Sequence, residues 1–519
     1  MAEISLFSIL QNSNIVLKKV LKVKIKGIEA KKDVSIIYNK LVDEEDLILM
    51  KRYHGRYLTL WNFIIVVGII LSFNVIMNIG YEAFFFDCGQ YRLYGRELFS
   101  DDNFNLMNLS DGFRGYIFPT FLGFSEHLDM KMGIGAEANP VCIKIFTSII
   151  YSFFFACSLP KLMSLLFQNR NCVKSYNVII NLLLVMIFFW GLFIYPLTDL
   201  LAMILCVNAV ICMLTATKNQ TMWKKILFFF LAGVIVYAAY NVRSIYLFSG
   251  MVAIFTVFIA NMRNYKRRRG FIYFLSFLLG IFICSIPQII INYNLEGNIS
   301  ILLPTDSLML QQLKWGMYYQ RYETYVGNAY ITSGLIFEDT VGLEILRIVG
   351  DITSIKEYIL LFLRYPLDFM GLYARHVLNM FLPIYPEQYI FNLEKNRSGL
   401  LLLNYSVLFI FVTWCVTTIQ KNKMKLASGN LFTVCVIAIL LLPSVAIMPG
   451  ALEQRFSIMI YVLIFGCLCY VVNYKALLSM MKEKWIKFLF LYVIGLFAVL
   501  SVWGNTLSSL QFAEIIIGY

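Results

Sequence analysis

The stretch EYILLFLRYPLDFMGLYARHVLNMFLP, residues 357–383, decides the topology of the chain, because it is apolar enough to offer one more membrane crossing. If it crossed once, the later loop QKNKMK, residues 420–425, would move to the opposite side of the membrane. Charge tests that alternative, since short loops rich in Lys and Arg stay on the cytoplasmic side. The charges favour two helices lying at the outer interface, broken near Pro366, with Arg364, Asp368, Arg375 and His376 facing headgroups or a cavity.

The rest of the chain sets the frame for that reading. Of 519 residues, 60% are hydrophobic, 16% aromatic and only 14% charged, with a mean hydropathy of +0.72. Ordinary globular domains carry about 25% charged residues, so the composition excludes a soluble globular class and points to an all-α, polytopic helical membrane protein. Eleven windows are apolar enough to cross, near 57–79, 142–167, 176–194, 199–216, 226–241, 244–262, 271–291, 399–419, 428–447, 456–473 and 485–503. No internal repeat or low-complexity linker interrupts them.

Residues 1–56 contain VLKKVLKVKIKGIEAKK, a basic run with no apolar core and small-residue cleavage site behind it, so a cytoplasmic arm is expected rather than a signal peptide. With that arm inside, the short loops assigned to the same side carry 17 Lys and Arg against one acid, Glu483. The other acids beyond the arm all fall on the external side, mostly in two large loops, 80–139 and 292–398. The expected organisation is therefore the arm, seven spans over 57–291 that include the first loop, the loop 292–398 with its interface helices, and four spans over 399–519 with an external C-terminus. The segment LKWGMYYQRYETYVG, residues 313–327, reads as a Trp- and Tyr-rich interface stretch. The Ile-, Lys-, Asn- and Phe-rich composition points to a bacterial plasma membrane.

Chemistry is expected in the first external loop. The run FFFDCGQYRLYGRELF, residues 84–99, has the aromatics of an interface belt, but Asp87 follows three phenylalanines at the mouth of a span. An unpaired carboxylate so placed is partly desolvated, its pKa is raised, and it becomes a candidate general base. Cys88 has one external candidate for a disulfide partner, Cys142, although most of the eleven cysteines fall inside spans and behave as small apolar residues. The three histidines, His54, His127 and His376, are far apart in sequence, and no His/Cys spacing suggests zinc.

The pattern Asp87, Tyr91, Arg96, Glu97, Leu98 directly after the first span resembles the first external loop of GT-C type membrane glycosyltransferases, in particular the protein O-mannosyltransferases and the lipid A aminoarabinose transferases. The resemblance implies that Asp87 is the catalytic acid residue of the loop, although Cys88 stands where the family has a second acid. Arg114 and Pro119 in FRGYIFPTFLGF are nearest to the family's basic residue and prolines, Asp199 in YPLTDLLA lies at a helix junction, and Glu453 and Arg455 in ALEQRFSIMIY resemble a Glu-x-Arg-aromatic element.

Such enzymes take a sugar from a polyprenyl-phosphate carrier, and arginine suits phosphate through its fork of donors. Arg114, Arg243, Lys314 and Arg455 sit at helix mouths and are the expected phosphate ligands, although each also suits an anchor that snorkels to lipid headgroups. Tyr91, Arg96, Glu97, Asp199 and Glu453 would position the loops. The expected reaction is inverting transfer on the outer face, to a surface glycan, a lipid-linked saccharide or a protein. The sequence requires no cofactor, supplies no support for a divalent metal, and suggests no nucleic-acid partner. Two rivals remain. A flippase or transporter for lipid-linked saccharides would be expected to carry acids at mid-span, and no expected span has one there. A surface-polysaccharide polymerase or ligase would share the lipid-linked substrate and the external arginines.

Overall fold

A computed structural model describes residues 59–100, 103–134, 139–167, 174–265, 267–326, 333–382, 385–392, 398–420 and 431–514. The basic arm and the QKNKMK loop after Gln420 lie outside the described residues. The fold is 80% helical. Among the described residues, eight helices are long and apolar enough to cross a membrane: Thr59–Met77, Val141–Phe167, Thr198–Lys218, Met222–Val242, Ser244–Arg263, Arg267–Glu296, Gly399–Ile419 and Trp485–Ser508. Eighteen helical residues rise about 27 Å, close to the hydrocarbon thickness, and inside hydrocarbon a helix satisfies its own backbone.

The other apolar windows also form helices, but shorter or broken ones. Ser175–Phe189 and Phe432–Ala446 fall below spanning length, and Gln454–Tyr470 continues into Tyr474–Glu483 through a bend of 89°. The window 176–194 is interrupted at Trp190, after which only the short turn Gly191–Ile194 is helical. Burial grades the helices from centre to rim. Thr198–Lys218 is 67% buried over its most apolar window, whereas Trp485–Ser508 is 0% buried there and exposes Ile486, Phe490 and Phe497. An exposed apolar helix of that length fits lipid rather than water, and it marks the protein as membrane-embedded.

The region 292–398 holds more than interface helices. Strand β1 (Tyr319–Tyr325) pairs antiparallel with β2 (Ser333–Glu338), while β1 pairs in parallel with β3 (Tyr389–Ile390) and β2 pairs antiparallel with β4 (Leu510–Glu514). The order is β3-β1-β2-β4, so the segment after the final long helix closes one edge. The expected Trp- and Tyr-rich interface stretch is therefore partly a strand. Its alternation places Arg321 and Glu323 on one side, and both are buried, which an interface-lying segment would not allow.

Helices Thr340–Val349, Ile355–Arg364 and Pro366–Met380 pack around Met317, Ile345, Tyr358, Leu361, Phe369 and Leu372. The chain breaks at Tyr365, and Pro366 opens the next helix, where its missing N–H costs nothing. Neither helix of the 357–383 stretch reaches spanning length. Arg364 and Asp368 are exposed, whereas Arg375 is partly buried and His376 is buried. His376 is fully buried, with its ring nitrogens 2.6 Å from the Met448 carbonyl and 3.0 Å from the Tyr319 carbonyl. Arg375 forms a two-pronged bond with Asp339 at 2.5 and 2.9 Å. The stretch is thus locked into the fold through its polar side, while Ile359, Leu363, Leu367 and Met370 point outward.

Candidate functional site

Five chain segments distant in sequence meet where several helices begin or end. Asp87 lies in the first turn of Phe86–Leu98, and Asp199 in the first turn of Thr198–Lys218, where the unsatisfied N–H groups of a helix favour a carboxylate. Arg243 follows Met222–Val242 directly, Arg455 lies in the turn Gln454–Ser457 that opens Ile458–Tyr470, and Arg114 comes from the loop before Ile117–Met132. Asp87 Oδ1 is 2.8 Å from Arg114 Nη1, and Asp87 Oδ2 is 2.9 Å from Arg455 Nη2. Asp199 Oδ1 is 2.5 Å from Arg243 Nη1, and its other oxygen lies 3.7 Å from Arg455 Nη1. Glu453 completes the set, with both oxygens 2.8 Å from Arg455 nitrogens.

Three carboxylates and three guanidiniums thus form one network whose charges cancel when all six are ionised. Aromatic faces back it: the Phe456 ring lies 4.7 Å from the Arg243 guanidinium carbon and 5.4 Å from that of Arg455, and Tyr91 and Phe113 hold Arg114 at 5.1 and 5.0 Å. The Tyr91 hydroxyl also accepts from Arg114 Nη1 at 3.4 Å, which ties this loop-positioning residue to the cluster. The side chain of Asp87 is 29% exposed against 3% for Asp199, so Asp87 is on the accessible side. Arg114 Nε is buried without a hydrogen-bond partner among the described residues, a donor that an incoming anion could use.

Asp87 does not behave as an unpaired carboxylate. Burial does push its pKa up, but the Arg114 and Arg455 guanidiniums, with Arg243 behind them, outweigh it and hold the group below the usual carboxylate range. The expectation of a raised pKa fails because its cations come from residues 27 and 368 positions away, which the local sequence could not show. Glu453 shows the opposite balance. Burial pushes it up, Arg455 pulls it down, and the carboxylates of Asp87 and Glu323 add to the rise, leaving it at about 7.

A second layer, missed by the sequence reading, fixes this geometry. Arg321 is fully buried on β1 and bonds to Glu323, to the carbonyls of Asn379 and Leu382, and to Gln454 Oε1 at 3.1 Å. Glu323 accepts from Gln454 N at 3.3 Å, so one buried pair grips the residue between Glu453 and Arg455 from both sides. The alternating polar letters of YQRYETY were the available signal.

On the other flank, Asn241 Oδ1 accepts from Tyr116 N and Ile117 N at 3.0 and 2.9 Å, and its amide donates to Gln288, which in turn donates to Gly112 O and Asn292. These amides hold the loop that carries Arg114. Gly115 has φ +69°, and a Cβ there would meet the Asn241 carbonyl at 2.0 Å, so only glycine fits.

The start of the Phe86–Leu98 helix is itself strained. Phe86 has φ +45°, a left-handed conformation that costs a non-glycine residue roughly 1–2 kcal/mol. Its ring stacks on Tyr389 with centroids 6.4 Å apart, and Tyr389 donates to Phe85 O at 2.8 Å and to Cys88 Sγ at 3.1 Å. Cys88 is a free, buried thiol, as is Cys142, so no disulfide joins them. Cys88 carries the hydroxyl contact that sets the helix start, a packing role.

The remaining sequence-predicted residues lie apart. Arg96 and Arg92 bind Glu126 at 2.5 and 2.9 Å, and Glu97 accepts from Ser110 N and Oγ at 2.9 and 2.8 Å. They brace the Phe86–Leu98 helix against its neighbours, and Gly95 and Gly123 let the two helices touch, since a Cβ on Gly123 would meet Gly95 O at 2.2 Å. Lys314 is removed from the cluster altogether: it pairs with Asp351 at 2.8 Å on an exposed side. It does not belong among the grouped cations.

An apolar cavity of 890 Å³ lies between Met163, Phe167, Leu408, Leu440, Leu463 and Val499, and none of the six clustered charges lines it. Leu382 lines it, and the Leu382 carbonyl accepts from Arg321, so the cavity touches the second layer rather than the cluster itself. Among the described residues, no group of three or more His, Cys, Asp or Glu is placed to hold a metal ion. No family model, no curated protein and no solved structure matches the chain.

Proposed function

We propose that the protein is a membrane glycosyltransferase that moves a sugar from a polyprenyl-phosphate carrier to a glycan, lipid-linked saccharide or protein on the outer face of a bacterial plasma membrane, in an eleven-span chain with its N-terminus inside. The observation that carries this reading is the convergence of Arg114, Arg243 and Arg455 on Asp87 and Asp199. Arginine forks suit a phosphodiester.

In the proposed reaction the phosphate competes with Asp87 for Arg455, while Arg114 stays beside both anions. With one cation drawn away, the Asp87 carboxylate regains basicity and accepts the acceptor's hydroxyl proton. The hydroxyl oxygen forms a bond to the anomeric carbon from the face opposite the phosphate. The carbon–oxygen bond to phosphate breaks, its electron pair stays on the phosphate, and the arginines stabilise that charge. Tyr91 holds Arg114, while Arg96 and Glu97 hold the helix that carries Asp87.

The test incubates membranes carrying the wild type or Asp87→Asn with polyprenyl-phosphate sugars and candidate acceptors, and identifies products by mass spectrometry. New glycosidic product from the wild type alone is expected. Equal product from both removes Asp87 from the chemistry, and lipid-linked sugar moved across the membrane with no new glycosidic bond favours the flippase.

A further inference from the structure

The cluster is already electrically satisfied, so an anionic ligand cannot simply be added to it. Asp87, Asp199 and Glu453 balance Arg114, Arg243 and Arg455 one for one, and the neighbouring Arg321–Glu323 pair is balanced as well. A phosphodiester brings one further negative charge into a site whose side chains are mostly buried. Leaving that charge uncompensated is strongly unfavourable, and the chain must release an anion or gain a proton.

The pairing pattern decides where a proton goes. Asp87 has Arg114 as well as Arg455, and Asp199 has Arg243 at 2.5 Å as well as Arg455 at 3.7 Å. Glu323 keeps Arg321 at 2.6 Å. Glu453 relies on a single cation among the described residues, and that cation is the shared Arg455, which holds both of its oxygens. Whatever takes Arg455 therefore leaves Glu453 with no positive partner. We propose that Glu453 takes up a proton when the donor's phosphate enters, so that anion binding and protonation of this one side chain form a single coupled event.

This inference rests on the proposed donor and deepens it. The proton comes from solvent and goes to a Glu453 oxygen, and the site stays neutral because the ligand's one negative charge is matched by it. The groups facing Glu453 agree. Arg455 opposes protonation, whereas Asp87 from the Phe86–Leu98 helix and Glu323 from β1 favour it, and Tyr322 on the same strand has its hydroxyl pushed up in part by Glu453. Burial adds to the same side, and the unliganded carboxyl already sits at about 7. Loss of Arg455 to a ligand removes the main opposing influence.

Purified full-length protein in detergent would be titrated with methyl farnesyl phosphate, a phosphodiester that keeps one negative charge between pH 5 and 9. Calorimetry at pH 8 in two buffers of different ionisation enthalpy counts the protons taken up. The expected result is close to one proton per ligand, and a Kd that rises about tenfold from pH 8 to 9. Glu453→Gln is expected to bind with no proton uptake and with less than about a twofold change in Kd over the same interval. Binding by the wild type without uptake, or uptake that persists in Glu453→Gln, overturns the inference and leaves the phosphate-donor reading standing. Absence of binding by the wild type overturns both. If Glu453→Gln does not fold, Glu453→Asp retains a titrating group in an altered position, and an unchanged pH midpoint in that variant overturns the inference.

Discussion

If Asp87 is the base of the proposed reaction, replacing it by Asn is expected to move donor binding and turnover in opposite directions. Asp87 lies 2.8 Å from Arg114 and 2.9 Å from Arg455. At an effective dielectric constant of about 20, each contact corresponds to about 6 kcal/mol of Coulomb attraction before desolvation and screening. Asp87 is 29% exposed, and a phosphate entering the site regains only part of that attraction. A net gain of about 1.5–3 kcal/mol for the competing anion is a reasonable scale, equivalent to about ten- to hundredfold tighter binding. The same substitution removes the proposed base, for which losses of about 10²–10⁴ in kcat are typical. The expected signature is a lower KM together with a much lower kcat, read from initial rates of product formation over a range of donor concentrations. Thermal unfolding of the variant in detergent checks that it remains folded. A raised KM with unchanged kcat would refute the reasoning at both steps, since Asp87 would then neither compete with the phosphate nor accept the proton.

Lys314→Ala is expected to leave donor KM within about twofold of the wild type, because Lys314 is engaged with Asp351 in an exposed, solvent-screened pair away from the cluster. A tenfold rise in KM would return Lys314 to the donor site. Gly115→Ala forces a Cβ onto the Asn241 carbonyl at a residue with φ +69°, and is expected to lower Tm and raise donor KM through displacement of Arg114. Normal Tm and normal KM together would show that the Arg114 loop is not set by this contact.

Hydropathy made the helix mouths visible, and the residues at those mouths are those that meet: Asp87, Arg114, Asp199, Arg243, Glu453 and Arg455 all stood out as charges beside apolar runs. Their partners did not, because each pair joins segments that are close only after the helices pack. That is why Asp87 read as a lone carboxylate and why Lys314, also a cation beside aromatics, read as equivalent to Arg455. The strand β1 was hidden for a different reason. Tyr and Trp suit both a membrane interface and a sheet, and the buried Arg321–Glu323 pair is decided by its contacts with Asn379, Leu382 and Gln454, far off in sequence, rather than by composition. Asn241, Gln288 and Asn292 fall at the ends of long apolar helices, where amides are common, and only the hydrogen bonds to Tyr116, Gly112 and the 300–302 segment give them their role.

The neutrality of the cluster also bears on how the protein can exist without its substrate. Three arginines gathered at the end of apolar helices would repel one another and carry an uncompensated desolvation cost, so an empty site made of arginines alone would weaken the fold. Asp87, Asp199 and Glu453 remove that cost by occupying the guanidiniums until a ligand arrives. The arrangement carries a chemical consequence for the proposed reaction. A carboxylate held below its usual pKa by two cations is a poor base, and the hydroxyl of an acceptor that reaches an unliganded site finds no proton acceptor there. Only a ligand that draws Arg455 away restores basicity to Asp87. The order of events then follows from electrostatics: donor first, base second, acceptor activated last, with water as the competing acceptor disfavoured whenever the donor is absent.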